Sequence, residues 1–128
     1  MKCLDTYALI EIAEGNEKFT KYFNEEFVIA NETLAEFFWV ILRDRNEEEA
    51  YFWYKKLENY SETVPLHILI NAMKFRRDNR KKNLSFFDCV GYLFALDKNI
   101  KFVTGDEGFE EGLPNVEYMK GLDKNKER

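Results

Sequence analysis

Short apolar runs alternate with amphipathic stretches along this 128-residue chain. Residues 2–6, 27–30 and 100–106 form apolar or mixed runs typical of buried strands, and the segments between them place apolar positions at helical spacing. The pattern predicts helices over residues 7–13, 17–23, 31–43, 47–60, 67–77 and 85–98, with short strands at 63–66 and 115–118. This alternation predicts an α/β fold around a parallel sheet.

The length and composition indicate one folded domain. A mass of 15.4 kDa and 45% hydrophobic residues suit the usual size of a domain with its own core. We assign residues 1–120 to this domain and residues 121–128 to a frayed tail. No stretch approaches the roughly 18 uncharged apolar residues of a membrane span. We therefore expect a cytoplasmic protein that makes no membrane contact.

Cysteine and histidine contribute little to the predicted chemistry. The two cysteines, Cys3 and Cys89, lack the short spacing that marks a zinc site. The single histidine, His67, lies in an apolar neighbourhood, and nothing near it resembles an activated serine or cysteine nucleophile. We interpret His67 as a structural residue and disfavour triad chemistry.

Four acidic residues lie where a parallel sheet would gather them. Asp5 and Asp106 end predicted strands, and Glu36 and Asp88 lie on intervening helices. Ligands of open α/β sheets bind beyond the carboxyl ends of the strands. Each acid also has a structural explanation of its own. Asp5 suits a helix N-cap, Asp106 a turn, Glu36 a solvated helix face, and Asp88 a capping box opened by Ser85.

A shared metal site explains the four acids together. Carboxylates within a few Å of one another raise each other's pKa unless protons or cations compensate. Hard oxygen ligands select Mg²⁺ or Mn²⁺. The net charge of −5 argues against a simple nucleic-acid binder, but two divalent ions would add +4 and leave about −1. A metal-loaded cleft could therefore attract a phosphate.

Helical angles assign faces to the two helices that carry acids. On the first helix, Glu36 points away from an apolar face formed by Leu34, Phe37, Phe38 and Ile41. On the second helix, the side that carries Asp88 continues with small groups and one aromatic that permit close approach of backbone or of a ligand, namely Gly91, Tyr92 and Ala95. We assign the core contact of this second helix to Phe86, Cys89, Val90 and Leu93.

The order of four motifs resembles a small PIN domain over residues 2 to about 118. The motifs are Cys3-Leu4-Asp5-Thr6, Asn31-Glu32-Thr33-Leu34-Ala35-Glu36, Leu84-Ser85-Phe86-Phe87-Asp88 and Phe102-Val103-Thr104-Gly105-Asp106-Glu107-Gly108-Phe109. The resemblance implies a three-layer α/β/α sandwich with a central parallel sheet of four or five strands. It also implies a metal-dependent nuclease, and the compact size is similar to the toxin half of VapBC-type toxin–antitoxin pairs.

The resemblance implies a role for each matching residue. Asp5, Glu36, Asp88 and Asp106 match the family's acidic quartet, with Asp5 and Asp106 as direct ligands of Mg²⁺ or Mn²⁺. Asp88 would bind metal directly or through water, and Glu36 would bind a second ion or orient its water. The supporting residues are Thr104, Thr6 and Asn31. Glu107 departs from the family pattern, and both metal binding and solvent exposure stay open for it.

A dense basic run is the candidate surface for RNA. It consists of Arg76, Arg77, Arg80, Lys81 and Lys82. Basic side chains of this kind contact phosphates and position a nucleic acid without reading its sequence. A solvated basic loop is the alternative explanation.

Four consecutive aromatic residues suggest a second partner surface. Tyr51-Phe52-Trp53-Tyr54 cannot share one buried face of a helix, because consecutive residues turn by about 100°. At least one of these rings should remain exposed. Such a ring would suit a homodimer seam or an antitoxin groove, with extra core packing as the alternative.

The leading hypothesis is a Mg²⁺- or Mn²⁺-dependent endoribonuclease that hydrolyses RNA, as the toxin of a VapBC-type pair. The alternative is a catalytically weak PIN-fold module that binds RNA or protein. An aspartate-phosphorylating phosphatase is disfavoured, because it wants a second aspartate two positions after the first. Tyr7 stands at that position.

Overall fold

The computed structural model describes residues 1–121, and its centre is a sheet of five parallel strands. The strands are β1 (Lys2–Leu4), β2 (Phe27–Ala30), β3 (Ser61–Glu62), β4 (Lys101–Thr104) and β5 (Val116–Tyr118). They lie side by side in the order β3-β2-β1-β4-β5. The frayed tail predicted for residues 121–128 lies, apart from Gly121, outside the described residues.

Six α-helices connect the strands. They are α1 (Thr6–Ala13), α2 (Glu17–Thr20), α3 (Asn31–Asp44), α4 (Glu47–Leu57), α5 (Leu66–Asp78) and α6 (Phe86–Asp97). Short 3-10 turns occur at Lys21–Asn24, Glu58–Tyr60, Arg80–Lys82 and Glu107–Phe109. Among residues 1–121, no helix combines the length and apolar character that a bilayer crossing requires.

The helices cover both faces of the sheet, as the predicted three-layer sandwich requires. Alternate strand residues point to opposite faces, so Cys3 and Phe102 pack under α5 and α6. Leu4 and Val103 pack on the other face, under α1, α2, α3 and α4. Strands buried on both sides read as continuous apolar runs, which is why their positions were recognisable in the sequence. The predicted fold class is confirmed.

The predicted edge strand at residues 63–66 is wrong. The edge strand is β3, two residues earlier, where Ser61 pairs with Ile29 and Glu62 with Ala30. Pro65 has no amide hydrogen to donate to a ladder, and it occupies the position just before the first residue of α5. The proline therefore begins a helix instead of ending a strand. The helix predicted over residues 17–23 is also shorter, because the chain tightens into a 3-10 turn after α2.

The side of α6 that was predicted to admit backbone or a ligand is part of the core. Gly91, Tyr92 and Ala95 are all buried, as is Cys89 on the side predicted to face the core. A Cβ at Gly91 would lie 2.9 Å from the Phe102 ring, so the glycine lets α6 approach β4 closely. The small residues serve helix–sheet packing, and only the first turn of α6 is available to a ligand.

The turn after β4 leaves no room for a side chain at Gly105. A Cβ there would lie 2.2 Å from the Tyr7 ring and 2.4 Å from the backbone oxygen of Met119. That oxygen cannot move without displacing the chain after β5. We expect Gly105→Ala to lower the free energy of unfolding by roughly 2–3 kcal/mol, measured by chemical denaturation.

Gly91→Ala is the matched control, because it adds the same methyl group. Its nearest neighbour is the end of the Phe102 side chain and not backbone, and alanine favours a helix interior by up to about 1 kcal/mol over glycine. We expect a clearly smaller loss of stability at Gly91 than at Gly105. Equal losses would show that the crowding at Gly105 is relieved by movement of the chain.

Candidate active site: a carboxylate cluster at the centre of the sheet

The strand order creates a crevice at the carboxyl ends of β1 and β4. From β1 the chain builds the sheet outward through β2 and β3 on one side and through β4 and β5 on the other. Crevices at such a switch in direction are the usual ligand sites of open α/β sheets. Asp5 follows β1 directly, and Asp106 lies two residues beyond β4. The Asp5 amide donates to the carbonyl of Val103 at 3.0 Å, which ties the two strand ends together.

The four acids predicted from the sequence line one cleft at this crevice. Asp5 and Asp106 come from the strand ends, Glu36 from the second turn of α3, and Asp88 from the first turn of α6. Glu36 is half-buried and lies off the buried face of its helix, as predicted from helical angles. Thr6 also lines the cleft. The fold therefore brings together acids that are up to about a hundred residues apart in sequence.

In each strand-end acid, one carboxylate oxygen accepts a hydrogen bond and the other has no hydrogen bond of good geometry. The Thr104 hydroxyl donates to Oδ2 of Asp5 at 2.7 Å, while the buried Oδ1 of Asp5 has no hydrogen-bond partner among the described residues. The Gly108 amide donates to Oδ1 of Asp106 at 2.9 Å. Oδ2 of Asp106 accepts no hydrogen bond within residues 1–121. The predicted supporting role of Thr104 thus corresponds to a direct contact with Asp5.

The two helical acids repeat this pattern. The Ser85 amide donates to Oδ2 of Asp88 at 2.8 Å, and the Asp88 amide donates to the Ser85 hydroxyl at 3.1 Å. This is the capping box anticipated from the sequence, and it leaves Oδ1 of Asp88 without a partner among the described residues. The Thr6 hydroxyl donates to Oε1 of Glu36. Hydrogen bonds of this kind fix the orientation of carboxylates that would bind a metal.

Burial and mutual repulsion raise the pKa of three of the acids. Asp5 is only 1% exposed, and burial, followed by the charges of Asp88 and Glu36, raises its pKa well above 3.8. Burial raises the pKa of Asp88 to about 6, with further contributions from Asp106 and Glu36. Burial and the Asp106 carboxylate also raise the pKa of Glu36. The charged forms are therefore unfavourable until a cation compensates them.

The donor set fits a hard divalent cation. The unpartnered oxygens belong to carboxylates, which are the ligands that Mg²⁺ and Mn²⁺ prefer. The buried, unpartnered Oδ1 of Asp5 is the kind of atom that a bound ion would satisfy. Within residues 1–121, no three acid, cysteine or histidine side chains lie close enough to enclose one ion as they stand. The carboxylates would have to draw together around an ion.

The predicted supporting residue Asn31 lies away from the acid cleft, as does Glu107, whose role the sequence left open. Asn31 is exposed and lines a separate cleft between α3 and α4, where its amide donates to the Thr63 hydroxyl at 3.4 Å. Glu107 is exposed and pairs with Lys120 at 2.9 Å, so it faces solvent. His67, interpreted as structural, lies exposed on α5 and does not line the cleft.

Sequence reasoning missed one polar residue of the cleft rim. Asn83 lines the cleft and has a left-handed backbone, with φ of 56°. Its position at the end of the basic run, two residues before Ser85, was the available signal, since asparagine is among the few residues that adopt this conformation readily. The basic run itself is divided between the end of α5 and the 3-10 turn at Arg80–Lys82.

A profile of the PIN domain matches residues 2–112. This chain belongs to the PIN domain family. A comparison with curated proteins gives no match. Solved structures share the PIN fold at low sequence identity, and three are described here.

The first is VapC20 of Mycobacterium tuberculosis, described as a sarcin-ricin loop cleaving toxin, with a TM-score of 0.69 at 15% identity over 81% of this chain and 87% of that one. A toxin–antitoxin complex from Klebsiella pneumoniae has a TM-score of 0.72 at 16% identity, covering 91% and 96% of the two chains. DNA-bound VapBC from Salmonella typhimurium has a TM-score of 0.71 at 17% identity, covering 93% and 96%. At these identities the likeness concerns the PIN fold alone.

The raised pKa of Asp5 predicts how this PIN domain responds to pH without metal. The folded protein binds a proton at Asp5 more tightly than the unfolded chain, whose pKa is near 3.8. Ionisation of Asp5 therefore destabilises the folded protein. This loss of stability is absent below the pKa of the unfolded chain and grows as pH rises through the pKa of Asp5 in the folded protein. In EDTA, we expect Asp5→Asn to raise Tm by a few degrees at about pH 7.5, with the difference vanishing near pH 3.5. Differential scanning fluorimetry measures the Tm difference at both pH values.

Glu26→Gln is the control, because Glu26 is an exposed acid outside the cleft. This variant should follow the wild type at every pH. Added Mn²⁺ should raise the Tm of the wild type and of Glu26→Gln more than that of Asp5→Asn. An Asp5→Asn variant that is less stable than wild type in EDTA at neutral pH would contradict the account of a strained carboxylate cluster.

Proposed function

We propose that this PIN domain protein is a divalent-metal-dependent endoribonuclease that hydrolyses RNA phosphodiester bonds. The proposal treats residues 1–120 as one nuclease domain, acting in the cytoplasm. The observation that supports this proposal is the cleft of four acids. In each acid one carboxylate oxygen accepts a hydrogen bond and the other has no partner among the described residues. The unpaired Oδ1 of Asp5 is buried, and a cluster that only stabilised the fold would be expected to pair it.

The four acids of the cleft would hold Mg²⁺ or Mn²⁺. Asp5 and Asp106 would be direct ligands, and Asp88 and Glu36 would complete the donor set directly or through water. When bound, divalent ions in nucleases activate a water molecule and stabilise the charge on the pentacovalent phosphate and leaving oxygen. The fit of the residues supports this chemistry through donor type and through the unpartnered oxygen of Asp5.

The chain's own contribution is the orientation of the carboxylates. The Thr104 hydroxyl holds Asp5, and the Thr6 hydroxyl holds Glu36, so these carboxylates keep their free oxygens in the cleft. Thr104 itself is fully buried, which limits the movement of the contact. Thr6 and Thr104 are positioning residues, because each acts through a carboxylate.

Electrostatics make substrate binding dependent on the cation. RNA carries one negative charge per nucleotide, and the metal-free cleft presents four acids to it. Two bound divalent cations would add +4, which offsets the four acids and lowers the net charge from −5 to about −1, so the cleft would oppose RNA far less. Substrate affinity should therefore increase with Mn²⁺ or Mg²⁺ even where turnover is blocked.

A binding module without turnover is the second candidate. It is favoured by the finding that no three potential ligands within residues 1–121 are preassembled around one ion position. Such a module would bind metal and RNA or protein but cleave slowly. Metal titration by calorimetry, run beside the cleavage assay, separates the two functions, since metal binding without cleavage identifies the module.

The toxin role is also part of the proposal. Two of the described structural neighbours are toxin–antitoxin complexes, which supports an antitoxin partner for this chain. A cleft between α3 and α4 is lined by aromatic and polar side chains, among them Phe38 and Tyr51. Tyr51 and Phe52 are 51% and 58% exposed, so the expected exposed aromatics are present. We place the antitoxin peptide on this α3–α4 surface.

A cleavage assay tests the nuclease assignment. Purified protein is incubated with a labelled RNA and Mn²⁺, and cleavage is followed on denaturing gels. We expect Asp5→Asn and Asp106→Asn each to reduce the cleavage rate by about 100-fold or more, because each removes a charged ligand oxygen.

The control for this assay is Glu26→Gln, purified in parallel, which should cleave at the wild-type rate. Its comparison with the two cleft variants also accounts for contaminating nucleases, since a contaminant would act equally in every preparation. Equal cleavage by all four proteins, with no cleavage by a mock preparation from cells that lack the protein, would refute the assignment of the acids.

A homodimer is the expected assembly, and we place its seam on α5. Leu66, Ile70 and Met73 form a stripe at helical spacing and are 71%, 61% and 54% exposed. Antiparallel pairing of two such stripes around a two-fold axis would bring each against its equivalent. We expect a mass near twice 15.4 kDa by light scattering, and a monomer for Ile70→Asp.

Phe52→Asp is the matched variant on α4, because it places the same charge at a similarly exposed apolar position. It should leave the dimer intact. Dissociation by Phe52→Asp but not by Ile70→Asp would move the seam to the aromatic helix and contradict the α5 assignment.

A further inference from the structure

The basic run falls into two groups once its hydrogen bonds are considered. Nε of Arg76 donates to the carbonyl of Leu84 at 3.1 Å, and Arg77 pairs with Asp78 at 2.9 Å. Both residues lie near the end of α5. Lys82, in the following 3-10 turn, donates to the carbonyl of Glu111 at 2.9 Å. These three side chains already stabilise the local fold.

The remaining members of the run are uncommitted. Arg80 and Lys81 are exposed, and neither forms an ion pair or a side-chain hydrogen bond within residues 1–121. Asn83 follows them directly and lines the acid cleft, and its side-chain amide also has no hydrogen-bond partner in the described part of the chain. Three donor side chains without partners therefore lie on one short segment at the rim of the acids.

The segment is held rigidly on both sides. Before Asn83, two backbone hydrogen bonds close the 3-10 turn, from the Lys82 amide to the carbonyl of Asn79 at 2.9 Å and from the Asn83 amide to that of Arg80 at 3.2 Å. After Asn83, Leu84 is buried and Ser85 caps α6 through its hydrogen bonds with Asp88. The left-handed backbone of Asn83 joins these two fixed points. A donor placed this way is preorganised, so little conformational entropy is lost when it binds a ligand.

Nearby charges define where a phosphate would be favoured. Lys81 and Lys82 line a shallow cleft together with Glu107, Glu110 and Glu111. Glu107 is neutralised by Lys120, but the other two acids would repel a phosphate on that side. Arg80 and Asn83 do not line this shallow cleft, and Asn83 lines the acid cleft instead. A phosphate is therefore favoured on the Asn83 side of the turn, where Lys81, two residues away in sequence, adds its charge.

We propose that Arg80, Lys81 and Asn83 form a phosphate-binding subsite that holds the RNA backbone beside the acid cleft. This inference rests on the proposed nuclease function and deepens it. Arg80 and Lys81 supply charge that contacts phosphate oxygens, and the Asn83 amide donates a neutral hydrogen bond at the point where the strand enters the cleft. Arg76, Arg77 and Lys82 do not belong to the subsite.

Equilibrium binding tests the charged pair without depending on turnover. The probe is a fluorescein-labelled single-stranded RNA of about 12 nucleotides in Ca²⁺, with gels to show that it stays intact. We expect the double variant Arg80→Ala/Lys81→Ala to lose about tenfold in affinity at moderate salt. The slope of log K against log salt should fall by about 1.4, or about 0.7 for each lost phosphate contact to a single strand.

The matched control is Lys74→Ala/Arg77→Ala, which removes the same two charges from exposed positions on α5. It should stay within about twofold of wild type, with a nearly unchanged salt slope. Thermal denaturation of each variant shows that it is folded. The subsite would be overturned if the control variant lost as much RNA affinity as the Arg80/Lys81 variant. It would also be overturned if the Arg80/Lys81 variant bound RNA with wild-type affinity.

Asn83 is tested with two substitutions that tolerate its backbone. Asn83→Gly removes the amide and should weaken binding a few-fold with no change in salt slope, because the lost contact is neutral. Asn83→Asp keeps the shape but adds a negative charge, and it should weaken binding further. Wild-type affinity in both variants would remove Asn83 from the subsite and overturn the proposal as stated.

Failure of the subsite and failure of the nuclease function give different results. RNA binding that depends on Arg80, Lys81 and Asn83, with no cleavage in Mn²⁺, supports the subsite and contradicts the nuclease. If all three variants cleave RNA at the wild-type rate and bind it with wild-type affinity, the nuclease function is supported and the subsite is overturned. A wild-type protein that binds no RNA at low salt overturns the subsite.

Discussion

The site depends on one electrostatic constraint: four carboxylates, two of them buried, are gathered in one cleft. Like charges in a buried space oppose each other, and burial alone already raises the pKa of Asp5, Glu36 and Asp88. The fold maintains the cluster because β1 and β4 are neighbours and Thr104 reaches across to hold Asp5. A parallel sheet suits this task, since its strand ends meet at one edge and its two covered faces keep them rigid.

The structural and functional explanations of the acids are compatible. Asp88 belongs to a capping box, and Asp106 accepts a hydrogen bond in a turn, as their sequence contexts indicated. Each contact uses one carboxylate oxygen and leaves the other in the cleft. Asp5 occupies an N-cap position but makes no capping hydrogen bond, and its partner is a hydroxyl from another strand. The local contacts thus orient the carboxylates rather than satisfy them, which is the arrangement expected around a bound cation.

Particular elements show how far the sequence could lead. The acids and the parallel sheet were predicted, because strand-end acids and buried apolar runs leave clear local patterns. The edge strand was misplaced, since a two-residue strand carries almost no pattern and Pro65 was read as part of it. The small residues of α6 were predicted to admit either backbone or a ligand, and the structure shows that Gly91 lies close to Phe102 of β4. A helical wheel reports which residues share a side, but the neighbour on that side is a property of the packed chain.

The sequence by itself determined the order of the elements, the family and the identity of the acids, because these are carried by local periodicity and by motifs within a few residues. Only the tertiary structure decided which oxygens lack partners, that Glu107 pairs with Lys120, and that Arg80, Lys81 and Asn83 are uncommitted while Arg76 is not. These distinctions depend on contacts between residues far apart in sequence, such as Asp5 with Thr104 and Lys82 with Glu111. Such contacts form only when the layers pack.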